Sequence, residues 1–204
     1  MRFQQVLLQF LLLLVLGAAW APRAAGSSIA VSFAAAGNDC DFTTTAFTPF
    51  TCYVLVLLGG DPAVAGITGA EFQLTGLADP SLVATVTPNP AANLSLGNPL
   101  AGGCNIAFPN CQTGPVVLLY TISALPVGPV AGRDLRIAQR ATPSNPAFSC
   151  PLVTLCDAPV FTRICVCNCD AQLNLPGSCT ACFHPCAVGV ERLNWSAIKR
   201  LYQD

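Results

Sequence analysis

Seventeen prolines and sixteen glycines fall at short intervals through a chain that is otherwise strongly apolar, and this punctuation limits the fold more than any other feature. Proline lacks a backbone donor and its ring clashes with the preceding helical turn, so apolar runs cut this often do not make long helices. They have the length of strands. Apolar residues make up 53% of the chain and charged residues 9%, the opposite of a disordered composition.

The apolar spacing agrees with the punctuation. Ile29, Val31 and Phe33 alternate with small residues, the period of a half-buried strand, and Gly37-Asn38-Asp39 ends the run. Cys52 to Leu58 is a continuous aliphatic run closed by Gly59-Gly60-Asp61-Pro62, as expected of a strand buried on both faces. From Ile67 to Leu74, Ala70, Phe72 and Leu74 point one way while Glu71 and Gln73 point to an expected wet face. Leu82–Val86, Asn105–Phe108, Pro115–Ile122 and Leu135–Ile137 are further strand candidates, and the polar stretch from Ala91 to Gly103 reads as a loop. The expected fold is all-β, a sandwich or barrel over residues 27–142.

The N-terminus sets the compartment. Arg2 precedes the apolar run Val6–Leu16 and the small residues Gly17, Ala18 and Ala19, the pattern of a secretory signal peptide. The run is short for a bilayer span, which needs about 20 residues. Ala24 and Gly26 satisfy the small-x-small rule for cleavage before Ser27; cleavage after Ala21 would place Pro22 beyond the scissile bond. The reading is residues 1–26 as signal peptide and a secreted, periplasmic or cell-surface product without a membrane span. Beyond Arg23 seven basic residues face ten acidic ones, which disfavours nucleic acid as a partner. The single lysine, Lys199, among abundant Ala, Arg, Pro and Val suits a bacterial high-GC genome. In that setting the sequons at Asn93 and Asn194 carry no glycan.

All twelve cysteines follow the leader, and an even number in an exported chain is first a disulfide framework. Short loops suggest local staples joining Cys40 with Cys52, Cys104 with Cys111, and Cys150 with Cys156. Cys165, Cys167, Cys169, Cys179, Cys182 and Cys186 form a dense knot in a Pro- and Cys-rich extension, residues 143–189, although Val160–Val166 still has strand character. The alternative for the knot is a zinc site built from Cys179, Cys182, His184 and Cys186, which offer soft ligands at short spacing. An oxidising compartment favours pairing those thiols.

Residues 190–204 end the chain with Trp195, Ile198 and Tyr202 at i, i+3 and i+7 behind Asn194 as a cap, a short amphipathic α-helix. It is too short to be stable alone and needs a surface, either on its own chain or on a partner that reads the Trp195/Ile198/Tyr202 stripe.

The stretch Val64-Ala65-Gly66-Ile67-Thr68-Gly69-Ala70-Glu71-Phe72-Gln73-Leu74, followed by Ala78-Asp79-Pro80-Ser81-Leu82-Val83, resembles the strand pattern of cohesin modules, and Asn105–Phe108 and Gly114–Ile122 are similar to the paired strands downstream. The resemblance covers about half of the chain beyond the leader. It implies an immunoglobulin/cohesin-like jelly-roll β-sandwich. Cohesins bind dockerins through one sheet face, but no binding determinant is matched here, and the clustered cysteines depart from the family.

No motif for catalysis accompanies this framework. There is no Gly-x-Ser-x-Gly elbow, no His-Glu-x-x-His and no phosphate-binding glycine loop, and His184 is the sole histidine. Glu71 and Glu191 are the only glutamates, so paired acid and base carboxylates would have to be aspartates. Asn38, Asp39 and Asp41 offer oxygens for calcium but read first as turn formers. The expectation is a non-catalytic binding, adhesion or surface-structural module without a cofactor, its partner a protein or carbohydrate. A zinc protein and an extracellular hydrolase are the alternatives.

Overall fold

The computed structural model describes residues 27–59, 64–157 and 159–175, with the backbone of Val190–Arg192. The leader, the cluster Cys179, Cys182, His184 and Cys186, and the stripe Trp195, Ile198 and Tyr202 lie outside the described residues. Among the described residues no helix is long and apolar enough to cross a membrane.

The fold is an all-β, jelly-roll sandwich of two sheets. One sheet has the order β12-β1-β3-β8-β5, built from β1 (Ser28–Ser32), β3 (Phe50–Leu57), β5 (Leu82–Pro88), β8 (Val116–Pro126) and β12 (Cys167–Cys169). β12 runs parallel to β1, so chain entry and the late cysteine segment share one edge. The second sheet centres on β4 (Ile67–Thr75). The first part of β4 lies between β7 (Gly103–Gln112) and β10 (Leu152–Leu155), and its last residues pair with β9 (Arg133–Ala138). Outward from these come β6 (Leu94–Asn98) beside β7, β11 (Thr162–Cys165) and β14 (Val190–Arg192) beyond β10, and β13 (Ala171–Leu173) and β2 (Asp41–Phe42) beyond β9.

The core lies between the sheets. Val54 and Val56 of β3, Leu119, Tyr120 and Ile122 of β8, Phe72 and Leu74 of β4, and Ile106 of β7 are almost wholly buried; period-2 spacing puts all but Leu119 on the inner face of their strands, and a register shift at Leu119, opposite Val54 and Leu55, lets it and the adjacent Tyr120 both be buried. Phe72 and Tyr120 meet edge to face across the sandwich, with ring centres 5.8 Å apart. The Tyr120 hydroxyl shares a 2.8 Å hydrogen bond with Ser95 of β6, which satisfies a polar group that would otherwise be stranded in the core. The stretch expected as a loop from Ala91 thus contains an edge strand. Its five residues are all exposed, its inward side chain is a serine and its two leucines face outward, so a single Leu94-x-Leu96 alternation within a polar, Gly- and Pro-containing stretch is all that announces it.

The segment read as an extension contributes β10, β11, β12 and β13, which hydrogen-bond into both sheets. None of the three local cysteine staples forms. Cys104 and Cys111 both lie in β7, where Cys104 is opposite Phe72 and Gln112, the neighbour of Cys111, is opposite Ile67, so the two cysteines are about five residues of β4, or about 17 Å, apart. β10 intervenes between Cys150 and Cys156 in the same way. Cys52 faces the core of β3 as a thiol, while Cys40 is disulfide-bonded elsewhere.

The bonds run between strands instead. Cys111 joins Cys156 and Cys150 joins Cys165, while Cys167 and Cys169 are also disulfide-bonded. The Cys111–Cys156 bridge crosses the start of β4 because Gly66 has no side chain; a Cβ there would lie 2.6 Å from the Cys111 sulfur. Burial pushes the thiols of Cys52 and Cys104 up to about 12, so both behave as small core hydrophobes.

Candidate functional site

Strand pairing places two rows of side chains across the outer face of the β4 sheet. Cross-strand neighbours share a face, so Leu94, Ala107, Gly69, Thr154 and Arg163 follow one another from β6 to β11, and Leu96, Asn105, Glu71, Leu152 and Cys165 form the parallel row. In the first row the middle residues are small and the ends are long. The result is a groove of about 480 Å³ with Gly69 and Ala107 as its floor, Leu94 and Leu96 as one rim, and Phe161, Arg163 and Thr154 as the other.

Gly69 is required by the closeness of β7, since a Cβ there would sit 2.8 Å from the carbonyl oxygen of Ile106. The same absence keeps the floor low. Leu94 and Leu96 are about half exposed, at 47% and 51%, and face the groove from the edge strand. Phe161 adopts a left-handed φ of 47°, uncommon for an aromatic residue. It is held there by Asp157, whose carboxylate accepts bonds from the Thr162 backbone N–H at 2.8 Å and from the Thr162 hydroxyl.

The second row is closed over by the loop after β9. Glu71, expected on a wet face, is 7% exposed. Its Oε1 accepts the Ser144 backbone N–H at 2.8 Å, and Oε2 accepts the Asn105 side-chain amide at 2.9 Å, with Asn105 in turn accepting from Arg140 at 3.0 Å. Arg163 donates to the Ser144 hydroxyl at 2.8 Å, and the Gln139 amide donates to the Phe148 carbonyl. Phe148, Leu152, Cys150 and Cys165 pack as a small apolar cluster beneath the loop, stapled by the Cys150–Cys165 bond. A buried carboxylate is tolerated because every oxygen has a donor.

Neither the groove nor its end wall was legible as a site, because its residues are spread over β4, β6, β7, β10 and β11. The Leu94-x-Leu96 alternation was the one local signal. The turn residues expected as a possible calcium ligand set serve the chain itself: the Asp39 carbonyl accepts the Phe33 N–H and the Ser32 hydroxyl, both at 2.7 Å, and its side chain accepts the Asp41 N–H at 3.4 Å. At the far end of the sandwich, Asp79 accepts from Ser81 and pairs with Arg133 at 2.6 Å, joining the turn before β5 to the start of β9. Hydrogen bonds from the Ser81 hydroxyl and backbone, then from Arg133, lower the Asp79 carboxyl to about 2.

No family model and no curated protein matches this sequence. Among solved structures the chain is similar to the sixth cohesin of scaffoldin B from Acetivibrio cellulolyticus, determined in complex with a Cel5 dockerin, with a TM-score of 0.48 and 11% identity over 74% of this chain and 99% of that one. It is also similar to the seventh ScaB type I cohesin from Pseudobacteroides cellulosolvens, at 0.46 and 11% over 79% and 98%. A third is the cohesin module of a family 33 glycoside hydrolase from Clostridium perfringens, at 0.43 and 11% over 73% and 96%. These are modules of the kind whose strand pattern the sequence resembles, and at such identities the likeness concerns the fold alone.

Proposed function

We propose that this chain is an exported, non-catalytic protein-binding module that takes an apolar segment of a partner protein in the groove between Leu94/Leu96 and Phe161. The observation that carries the reading is the contrast between the groove's rims and its polar groups. One rim exposes the apolar side chains Leu94 and Leu96 of an edge strand, while Glu71, Asn105, Ser144 and Arg163 already bond to one another. A sugar needs free directional donors and acceptors, whereas a peptide side chain needs area to bury. For the same reason Glu71 is poorly placed as an acid or base, since its oxygens are committed to the fold.

The test is to pan a displayed random-peptide library on the chain and compare the selected peptides on the Ala107→Arg variant, which fills the floor without touching the bonded end wall. Selected peptides are expected to carry two or more large apolar residues and to lose about tenfold or more in affinity on the variant, the loss of a buried anchor side chain. Equal binding to both proteins would remove the groove from consideration.

A further inference from the structure

We infer that the C-terminal segment 193–204 is the groove's resident occupant, seating Trp195, Ile198 and Tyr202 over Gly69 and Ala107 until a partner displaces it. The inference rests on the groove being a binding site and adds its regulation.

The path of the chain is the first argument. β14 runs antiparallel to β11 with Arg192 opposite Thr162, so the last described residue before the segment lies level with Phe161, on the groove's own rim. Reach is the second. The groove crosses from β11 to β6, four strand spacings or about 19 Å. Twelve residues remain after Arg192, and a helix over Asn194–Tyr202 would cover about 13 Å of that span, with the remainder to bridge from the rim. Chemistry is the third. The i, i+3, i+7 stripe offers apolar side chains of the size the Leu94/Leu96 rim leaves uncovered, and a helix this short requires such a surface to form. A tail tethered one residue from its site has a high effective concentration and can occupy a modest groove that a free peptide would fill weakly.

Only two tryptophans occur, Trp20 in the leader and Trp195, so a Trp20→Phe background leaves Trp195 as sole reporter. Its fluorescence is expected to be blue-shifted and shielded from acrylamide. Ala107→Arg, or Thr154→Arg as a second way of filling the same row, is expected to shift the emission to the red and raise quenching toward that of the denatured chain, with the melting midpoint little changed. Thr85→Arg on the opposite sheet is expected to change neither. A water-exposed Trp195 in the parent, or one that ignores both groove variants, overturns the inference.

Truncation after Arg192 separates the two readings. Removal of a competing tail is expected to raise the affinity of a library-selected peptide about fivefold or more. Peptide binding that is lost on Ala107→Arg but indifferent to truncation would leave the groove reading standing and sink the tail. A Trp195 that answers to Ala107→Arg in a chain that selects no peptide, tailed or truncated, would support the tail and sink the groove as a partner site.

Discussion

On the outside of the β12-β1-β3-β8-β5 sheet, the rows Thr51–Ser123–Thr85 and Tyr53–Thr121–Thr87 set mostly short hydroxyl side chains side by side. On the outside of the β4 sheet, the equivalent rows pass from leucine through alanine and glycine to threonine and arginine, or from leucine through asparagine and glutamate to leucine and cystine. Strand geometry is the same in both. On the first face the neighbouring side chains, Tyr53 apart, have similar length, and the hydroxyl residues stay partly or wholly exposed. The second is recessed because side-chain length falls and rises along a row, and part of it is dry because a loop is bonded down onto Glu71. A recess in a sandwich face is thus a property of cross-strand rows, which no single strand contains.

The comparison breaks most visibly if the staples of the recessed face are removed. Cys111→Ser with Cys156→Ser opens a link of 45 residues, for which loop entropy predicts a loss of about 4 kcal/mol in urea unfolding. Amide exchange in β7 and β10 should accelerate more than in β3 and β8. Equal acceleration would mean that the two faces open as one unit.

A smaller effect separates the faces at single residues. Glu71→Ala strands the Ser144 N–H and frees Asn105, and should cost about 2 kcal/mol, whereas Thr85→Ala on the first face should stay within about 0.5 kcal/mol. Similar values from denaturant midpoints would remove the energetic distinction.

The smallest expected effect concerns the tie between the sheets at Asp79. A carboxyl lowered in the folded state stabilises above its ordinary pKa of about 4, and that contribution disappears as pH falls through about 2. The pair is partly exposed, so solvent screens it. The melting midpoint of the wild type should exceed that of Asp79→Asn slightly at pH 5, and the two should converge near pH 2. A constant gap across that range would show that Asp79 acts through packing alone.

The all-β character and strands β1, β3, β4, β5, β7, β8 and β9 follow from local sequence, because alternation and punctuation by Gly and Pro act over a few residues. Leu94–Asn98 escaped because an edge strand paired on one side needs no apolar face. Of the late strands, β11 lies within the Val160–Val166 run that the sequence marked as strand-like, while β10, β12 and β13 escaped because each is only three or four residues long among prolines and cysteines. Cysteine count was readable and cysteine partnership was not: Cys111 and Cys156 meet only because β4 pairs with both β7 and β10, leaving Gly66 beneath the bond. Glu71 alternates outward as its position dictates, yet a loop 73 residues away buries it. Sequence by itself determined which residues prefer a pleated, half-buried backbone. Tertiary structure alone decided which of them became neighbours, since strand order and register bring together residues that local physical chemistry cannot connect.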